Sequence, residues 1–385
     1  MEELQKYKGK EQGYLKHRLL EAYLERLFMI VGQHQRTICY VDCFAGPWES
    51  NSDDLADTSI AVSLDIIRKC RDGLRRTGKE VSFRALFVEE KNKPFQILER
   101  YLESRKDDDT ETRAKQGEFH HLVPEILEWC GTDSFVFFFI DPTGWKDAVE
   151  PPTLAPLLRR ANSELLINFM YDFLSRTVPQ AEFQKDMERI FGVVPDTKGM
   201  SPEARETFLV TLYRNNLKQV TAEGEEQPRT AYVKVQMPTR DRTLYHLVYL
   251  TRHPKGIVEF MEASEKLDLV QKKVRASAKQ DERIHKSRQT EMFSAAEQIS
   301  DVRSHLDLSE VKEYWLMLLS TLPKHFGIRE FSDMLENTEW FPGDFQKAFG
   351  ELTKEGKVRN LDAKRARPVN AVNFEKNEAL LRIQP

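Results

Sequence analysis

The chain has 385 residues, enough for two or three domains of ordinary size. Hydrophobic residues make up 40% and charged residues 31%, too much apolar material for a disordered chain. The formal charge of -4 excludes a chain built as one broad cationic surface, although local basic patches remain compatible with it. Cys39, Cys43, Cys70 and Cys130 form no CxxC pair and read as reduced thiols of a cytoplasmic protein. The opening MEELQKYKGK lacks the apolar core of a signal peptide. The longest apolar run, Phe135–Ile140, is far short of the ~20 residues of a membrane span, so no membrane association is expected.

The first half alternates short apolar runs with helical patterns. Strands are predicted over 37–44 (TICYVDCF), 84–88 (RALFV), 135–140 (FVFFFI) and 165–170 (LLINFM), with a weaker one near 113–117. Each strong run is apolar throughout, as in a strand covered on both faces. Helical patterns lie between them at 60–71, 94–103, 122–129 and 154–160. Strand and helix in repetition give a parallel, doubly wound α/β sheet with right-handed crossovers. Residues 171–230 read as a mostly helical insertion. The runs AYVKVQMP (231–238) and LYHLVYLT (244–251) then read as an antiparallel hairpin, for seven strands in all.

This first domain is expected over residues 1–263, followed by a charged helical linker, 264–304. Within 264–290, eight Lys/Arg face four Asp/Glu, which suits a solvated helix or one that faces nucleic acid. The tail, 305–385, has three helical patterns (311–322, 328–335, 342–354). Two short runs, 357–361 and 369–374, flank the basic DAKRARP. Three helices and a basic ribbon make a winged-helix-like α+β domain. The ribbon segment 354–367 carries six Lys/Arg against two Asp/Glu, a charge suited to phosphate contact. Winged helices also dock proteins, so Lys364, Arg365 and Arg367 are candidate contacts to nucleic acid with protein docking as the open alternative.

The residues that carry chemistry fall at strand ends, where open α/β sheets bind ligands. VDCFAGPW (41–48) ends a strand in Asp42 and turns through Phe44, Ala45 and Gly46. Gly46 supplies permissive backbone where a ligand approaches closely. FVEEK (87–91) follows the second strand; Glu89, with Glu90 as the second choice, is placed to accept hydrogen bonds from a ribose diol. QGEF (116–119) offers Glu118 after the third strand. IDPTGW (140–145) offers Asp141 and the Pro142 carbonyl after the fourth, with Thr143, Gly144 and Trp145 beside them.

In that order these blocks resemble motifs I to IV of class I methyltransferases. The resemblance implies an S-adenosylmethionine site formed by Asp42, Phe44, Ala45, Gly46, Glu89 and Glu118. It implies that Asp141 and Pro142 accept hydrogen bonds from an exocyclic amine of a nucleic-acid base, so that catalysis is positioning and electrostatics. Trp145 would stack on that base. Trp48 stands where the methyltransferase family has a second glycine, a departure that favours the alternative of a non-catalytic partner or regulator using the sheet as a scaffold.

Nearly the whole chain also resembles a bacterial family, the three-Cys-motif partner proteins. Lys16-His17 with Tyr23-Leu24, YVDCFAGP (40–47), FIDPTG (139–144) and TRHPKG (251–256) carry the likeness. It implies a methyltransferase-like domain, a helical extension, a mobile-element or phage-related context and a three-Cys-motif protein encoded nearby. Lys16, His17, Arg252 and His253 are candidate substrate or phosphate contacts. A surface or capping role for the first pair and a plain turn for the second are the alternatives. His120-His121 is set aside as a metal site, on the expectation that adjacent side chains point apart and that no third ligand is suitably spaced; no metal is expected.

Overall fold

The computed structural model describes residues 11–46, 58–145, 147–221, 226–287, 307–365, 367 and 369–383. Trp48 and the rest of the 47–57 segment lie outside the described residues. The chain divides into two compact units, Met1–Arg252 and His253–Pro385.

The first unit is a seven-stranded sheet. Its strands are β1 (Thr37–Asp42), β2 (Ser82–Glu89), β3 (Thr110–Gln116), β4 (Phe135–Ile140), β5 (Ser163–Phe169), β6 (Arg229–Gln236) and β7 (Thr243–Thr251). Their spatial order is β3-β2-β1-β4-β5-β7-β6. The first five pair in parallel, and β7 runs antiparallel between β5 and β6. This is the doubly wound order in which the chain reverses direction across β1 and β4, leaving a crevice at the carboxyl ends of the strands. It is the strand order of class I methyltransferase-like folds.

Helix α1 (Glu11–Val31) precedes β1, and the helices connecting the first five strands are α2 (Ser59–Arg76), α3 (Asn92–Ser104), α4 (Phe119–Cys130) and α5 (Pro151–Leu158). The helical insertion holds α6 (Tyr171–Thr177), α7 (Gln184–Phe191) and α8 (Pro202–Gln219). Strands β4 and β5 are buried along their whole length, which is why FVFFFI and SELLINF need no polar face. Strand β3 (TETRAKQ) sits at the sheet edge, half exposed, which accounts for its faint signal in the sequence. An edge strand is steadied by charge pairs instead of apolar burial. Arg84 on β2 reaches Glu111 on β3 at 2.7 Å and lies 4.2 Å over the Trp129 ring.

Helix α1 is tied to the sheet by a buried polar cluster. Tyr23 donates to Glu164 at 2.7 Å and meets Tyr249, while Thr251 donates to the other Glu164 oxygen at 2.8 Å. Burial raises the Glu164 pKa, and these bonds oppose the rise.

The second unit begins with α9 (Pro254–Ser287), so residues 264–287, expected as a separate linker, continue a helix that starts at Pro254. Then come α10 (Ser309–Leu318), β8 (Lys324–Phe326), α11 (Ile328–Glu336), α12 (Pro342–Lys354), β9 (Val358–Asn360) and β10 (Glu378–Arg382). The three strands pair antiparallel in the order β8-β10-β9. Trp315 is fully buried among Phe326, Phe345 and Phe349, and its indole N–H donates to the Phe345 carbonyl at 3.0 Å.

The ribbon differs from expectation. The partner of β9 is 378–382, not 369–374. Phe374 instead stacks on Phe331 at 3.7 Å, at the start of a short 3-10 turn. Asn373 caps that turn, and Asn377 leaves it with a φ of 52°. Phe374 thus packs on α11, and Val369 is 74% exposed, in a segment where a strand was expected. Among the described residues, no helix is long and apolar enough to cross a membrane.

Candidate functional site

The turn after β1 is built by its own backbone. The Cys43 N–H donates to the Phe139 carbonyl at 2.9 Å, and the Ala45 N–H to the Val88 carbonyl at 2.7 Å. These bonds tie the turn to both neighbouring strands. Asp42 is fully buried and closes the turn from within. One carboxylate oxygen accepts the Phe44 N–H at 3.1 Å, and the other accepts the Ser59 hydroxyl at 2.9 Å, at the first residue of α2. Burial pushes the Asp42 carboxyl up to about 7; these two hydrogen bonds oppose the rise, and the nearby Asp141 adds to it. Asp42 therefore holds the shape of the turn and does not line the cleft.

The cleft itself has a volume of about 200 Å³ at the carboxyl ends of β1, β2 and β3. Phe44 and Gly46 wall it on one side, Glu89 and Glu90 on another, and Gly117 and Glu118 on a third. Thr143 and Asp147 complete the rim. Glu89 ends β2, only 7% exposed, and one of its oxygens accepts the Lys91 N–H at 2.7 Å. That bond fixes the carboxylate, and its other oxygen has no partner among the described residues. Gly117 turns the chain at a φ of 146°, and a Cβ there would stand 3.2 Å from Leu122 Cδ1. Only glycine serves at such a position. Phe44 and Phe119 meet with ring centroids 5.3 Å apart.

Asp141 follows β4 directly. Its two oxygens are engaged from opposite sides of the chain: the Lys16 ammonium of α1 pairs with one, and the Asn168 amide donates to the other at 2.7 Å. Asn168, on β5, is 6% exposed. Burial and the Asp141 charge together raise the pKa of Tyr245 on β7. Lys16, a candidate substrate contact in the sequence, thus belongs with Asp141, a pairing the sequence did not suggest, and Asn168 was missed. Its signal was present: one amide inside LLINFM, an otherwise apolar buried strand, needs a hydrogen-bond partner.

Other candidates lie elsewhere. Pro142 is buried, and Thr143 and Gly144 are exposed. Trp145 is only 4% exposed and packs against Phe173 and Phe183 of the insertion, so it is a core side chain and not a stacking platform. His17, next to Lys16 on α1, is half-buried. Arg252 is at the wrong edge of the sheet. Because β7 is antiparallel, its last residues pair with the first of β5, at the amino end of the parallel strands. There the guanidinium donates to the carbonyls of Leu158, Arg160 and Glu226, binding chain ends together. His253 follows it directly in the chain. In the second unit, Lys364 and Arg365 are exposed. Arg367 is consumed by the buried Glu378, at 2.7 and 3.0 Å, and that carboxylate also accepts from Asn360 and the Asn373 N–H.

The side chains of His120 and His121 do not point apart. Their ring centroids are 3.9 Å apart, and Glu118 supplies a third donor atom within 4.8 Å of both. One Glu118 oxygen, at the cap of α4, stands 3.4 Å from His120 Nε2 and 3.7 Å from His121 Nδ1. The premise for setting a metal aside therefore fails.

No family model matches the sequence, and neither does any curated protein. Solved structures do resemble the backbone. A Legionella pneumophila protein matches with a TM-score of 0.37 and 8% identity, over 69% of this chain and 91% of that one. An O-methyltransferase from Bacillus cereus, in complex with SAH, matches at 0.32 and 15%, over 60% and 80%. A dimethyladenosine transferase from Plasmodium falciparum matches at 0.29 and 11%, over 89% and 96%. Scores this low carry no conclusion about chemistry, and the fold assignment rests on the strand order itself.

Proposed function

We propose that the protein is an S-adenosylmethionine-dependent methyltransferase acting on an exocyclic amino group of a nucleic-acid base. One observation carries the reading: a cleft at the carboxyl ends of β1, β2 and β3, with a half-buried, doubly braced carboxylate, Asp141, at the end of the next strand. The residues present fit the cofactor. A rim bearing Glu89, Glu90, Glu118 and Asp147 against Lys91 suits a cationic ligand. Glu89 has a fixed oxygen and a second one for a diol, and Gly117 keeps side-chain atoms out of the third wall. Phe44, Gly46, Glu89 and Glu118 would hold the cofactor, which supplies the methyl group, while Ala45, buried with its N–H on the Val88 carbonyl, holds the turn.

Asp141 would accept an N–H of the amine and keep the nitrogen lone pair directed at the reacting carbon. Each carboxylate oxygen can accept two hydrogen bonds, so the amine can join without expelling Lys16 or Asn168. Asn168 holds the carboxylate in place, and Lys16 offsets its charge while the site is empty of substrate. The second unit, in which α10, α11 and α12 follow the long α9 and stand with a three-stranded sheet and the exposed Lys364 and Arg365, is read as a winged-helix-like module that contacts the substrate backbone. Titration with S-adenosylmethionine and S-adenosylhomocysteine tests the cofactor; absence of binding at millimolar concentration would sink it. Labelled methyl transfer to mixed DNA and RNA tests the substrate.

A second reading has its own support. Both Asp141 oxygens are already satisfied inside the fold, as in a scaffold that no longer turns over. On that reading the protein is a cytoplasmic partner or regulator in a mobile-element or phage-related system, consistent with the three-Cys-motif partner resemblance, and it docks a three-Cys-motif protein or DNA. Cofactor binding without any methyl transfer, together with capture of the neighbouring three-Cys-motif protein, would favour it.

A further inference from the structure

We propose that Glu118, His120 and His121 bind a divalent first-row transition ion, of the zinc class, at the rim of the cleft. Glu118 Oε2 lies 3.4 Å from His120 Nε2 and 3.7 Å from His121 Nδ1. Two donors on a tetrahedral ion, each ~2.1 Å from it, stand ~3.4 Å apart. All three donor atoms lie within 4.8 Å of one another, so the side chains converge on one point where an ion could sit.

A second observation is independent of that spacing. Glu118 occupies the cap position of α4 and makes no hydrogen bond to a backbone N–H there, so its carboxylate is uncommitted to the helix. Its carboxylate is turned to the two imidazoles instead.

Charge decides whether a cation is tolerated there. The helix amino end presents about half a positive charge. Against it and the Lys91 ammonium stand the full charges of Glu118 and of Glu89, Glu90 and Asp147 around the same cleft. The balance favours a cation. Two imidazoles and one carboxylate, with no thiolate, select Zn²⁺, Co²⁺ or Ni²⁺ over Mg²⁺, Ca²⁺ or Cu⁺. Three protein donors leave a position for water or for a ligand atom in the cleft. The ion site stands whether or not the cleft takes S-adenosylmethionine, because its ligands are counted without it.

The test uses the full-length, tag-free chain, stripped with a chelator and titrated with Zn²⁺ by calorimetry and with Co²⁺ by visible absorption, with no cofactor added. One ion per chain is expected, bound at least tenfold more weakly in His120→Ala and in His121→Ala. The four cysteines are all buried, so no cobalt–thiolate band is expected. Both histidines are on the surface of α4, and circular dichroism of the variants checks that they fold. No saturable binding at millimolar Zn²⁺ would overturn the proposal. So would a thiolate band, or unchanged affinity in the His120→Ala/His121→Ala double variant.

Discussion

Asp42 should make the first unit less stable as pH rises, and Asp42→Asn should remove that dependence. The carboxyl is fully buried, and its pKa rises from an ordinary 3.8 to about 7. A raised folded-state value means that the native protein holds the proton more tightly than the unfolded chain. The stabilisation is complete below about pH 4, declines as pH climbs through about 7, and is gone above it. At ~1.4 kcal/mol per tenfold, the span is about 4 kcal/mol. Asparagine keeps an acceptor for the Phe44 N–H and puts an amide where Ser59 can accept, so the turn retains its bonds. Urea denaturation of both proteins at several pH values from about 4.5 to 8.5 reads the difference. The variant should gain on the wild type steadily with pH and hold a constant lead above about pH 7.5. Glu164 has a raised pKa of the same sign, but it is common to both proteins and cancels. A stability difference that does not change with pH would refute the reasoning, because it would mean that Asp42 carries the same charge in native and unfolded chains.

Three further outcomes follow from the geometry. Gly117→Ala places a Cβ at a φ of 146° and 3.2 Å from Leu122, and should cost about 1–3 kcal/mol in thermal stability while weakening ligand binding in the cleft. Glu89→Gln should reduce S-adenosylhomocysteine affinity about tenfold or more in a calorimetric titration without lowering the melting temperature, since the Lys91 N–H keeps its acceptor. Arg367→Ala should destabilise the second unit by about 2 kcal/mol or more, because Glu378 is left buried without its cation; Lys364→Ala with Arg365→Ala should leave stability unchanged. A chemical-denaturation comparison of those two variants separates a structural arginine from exposed ones.

Much of the sheet was legible because buried parallel strands have a composition of their own. FVFFFI admits no solvated face, and the four strong runs lie within the four observed strands or overlap them. The edge strand was faint because half of it is wet and held by Arg84–Glu111 pairing. The ribbon in the tail went astray at 369–374, where apolar residues signalled burial but not what buries them. The site was legible as a set of strand ends: Gly46, Glu89, Glu118 and Thr143 do meet at one cleft. It was not legible at Trp145, which an aromatic beside a motif cannot distinguish from a core residue. Nor was it legible at Arg252, whose place depended on the direction of β7.

By itself the sequence determined the periodicities: which segments are buried on both faces, where the chain must turn on glycine, and that polar groups cluster after successive strands. These are local properties, set by residues within a few positions of one another. Only the tertiary structure decided the partnerships across 27 to 141 positions: Asn168 and Lys16 on Asp141, and Tyr23 on Glu164. It also decided that Asp42 would spend its carboxylate inside the turn. Hydrogen bonds and charge pairs act over a few ångströms of space, and separation along the chain says nothing of that distance until the sheet has formed.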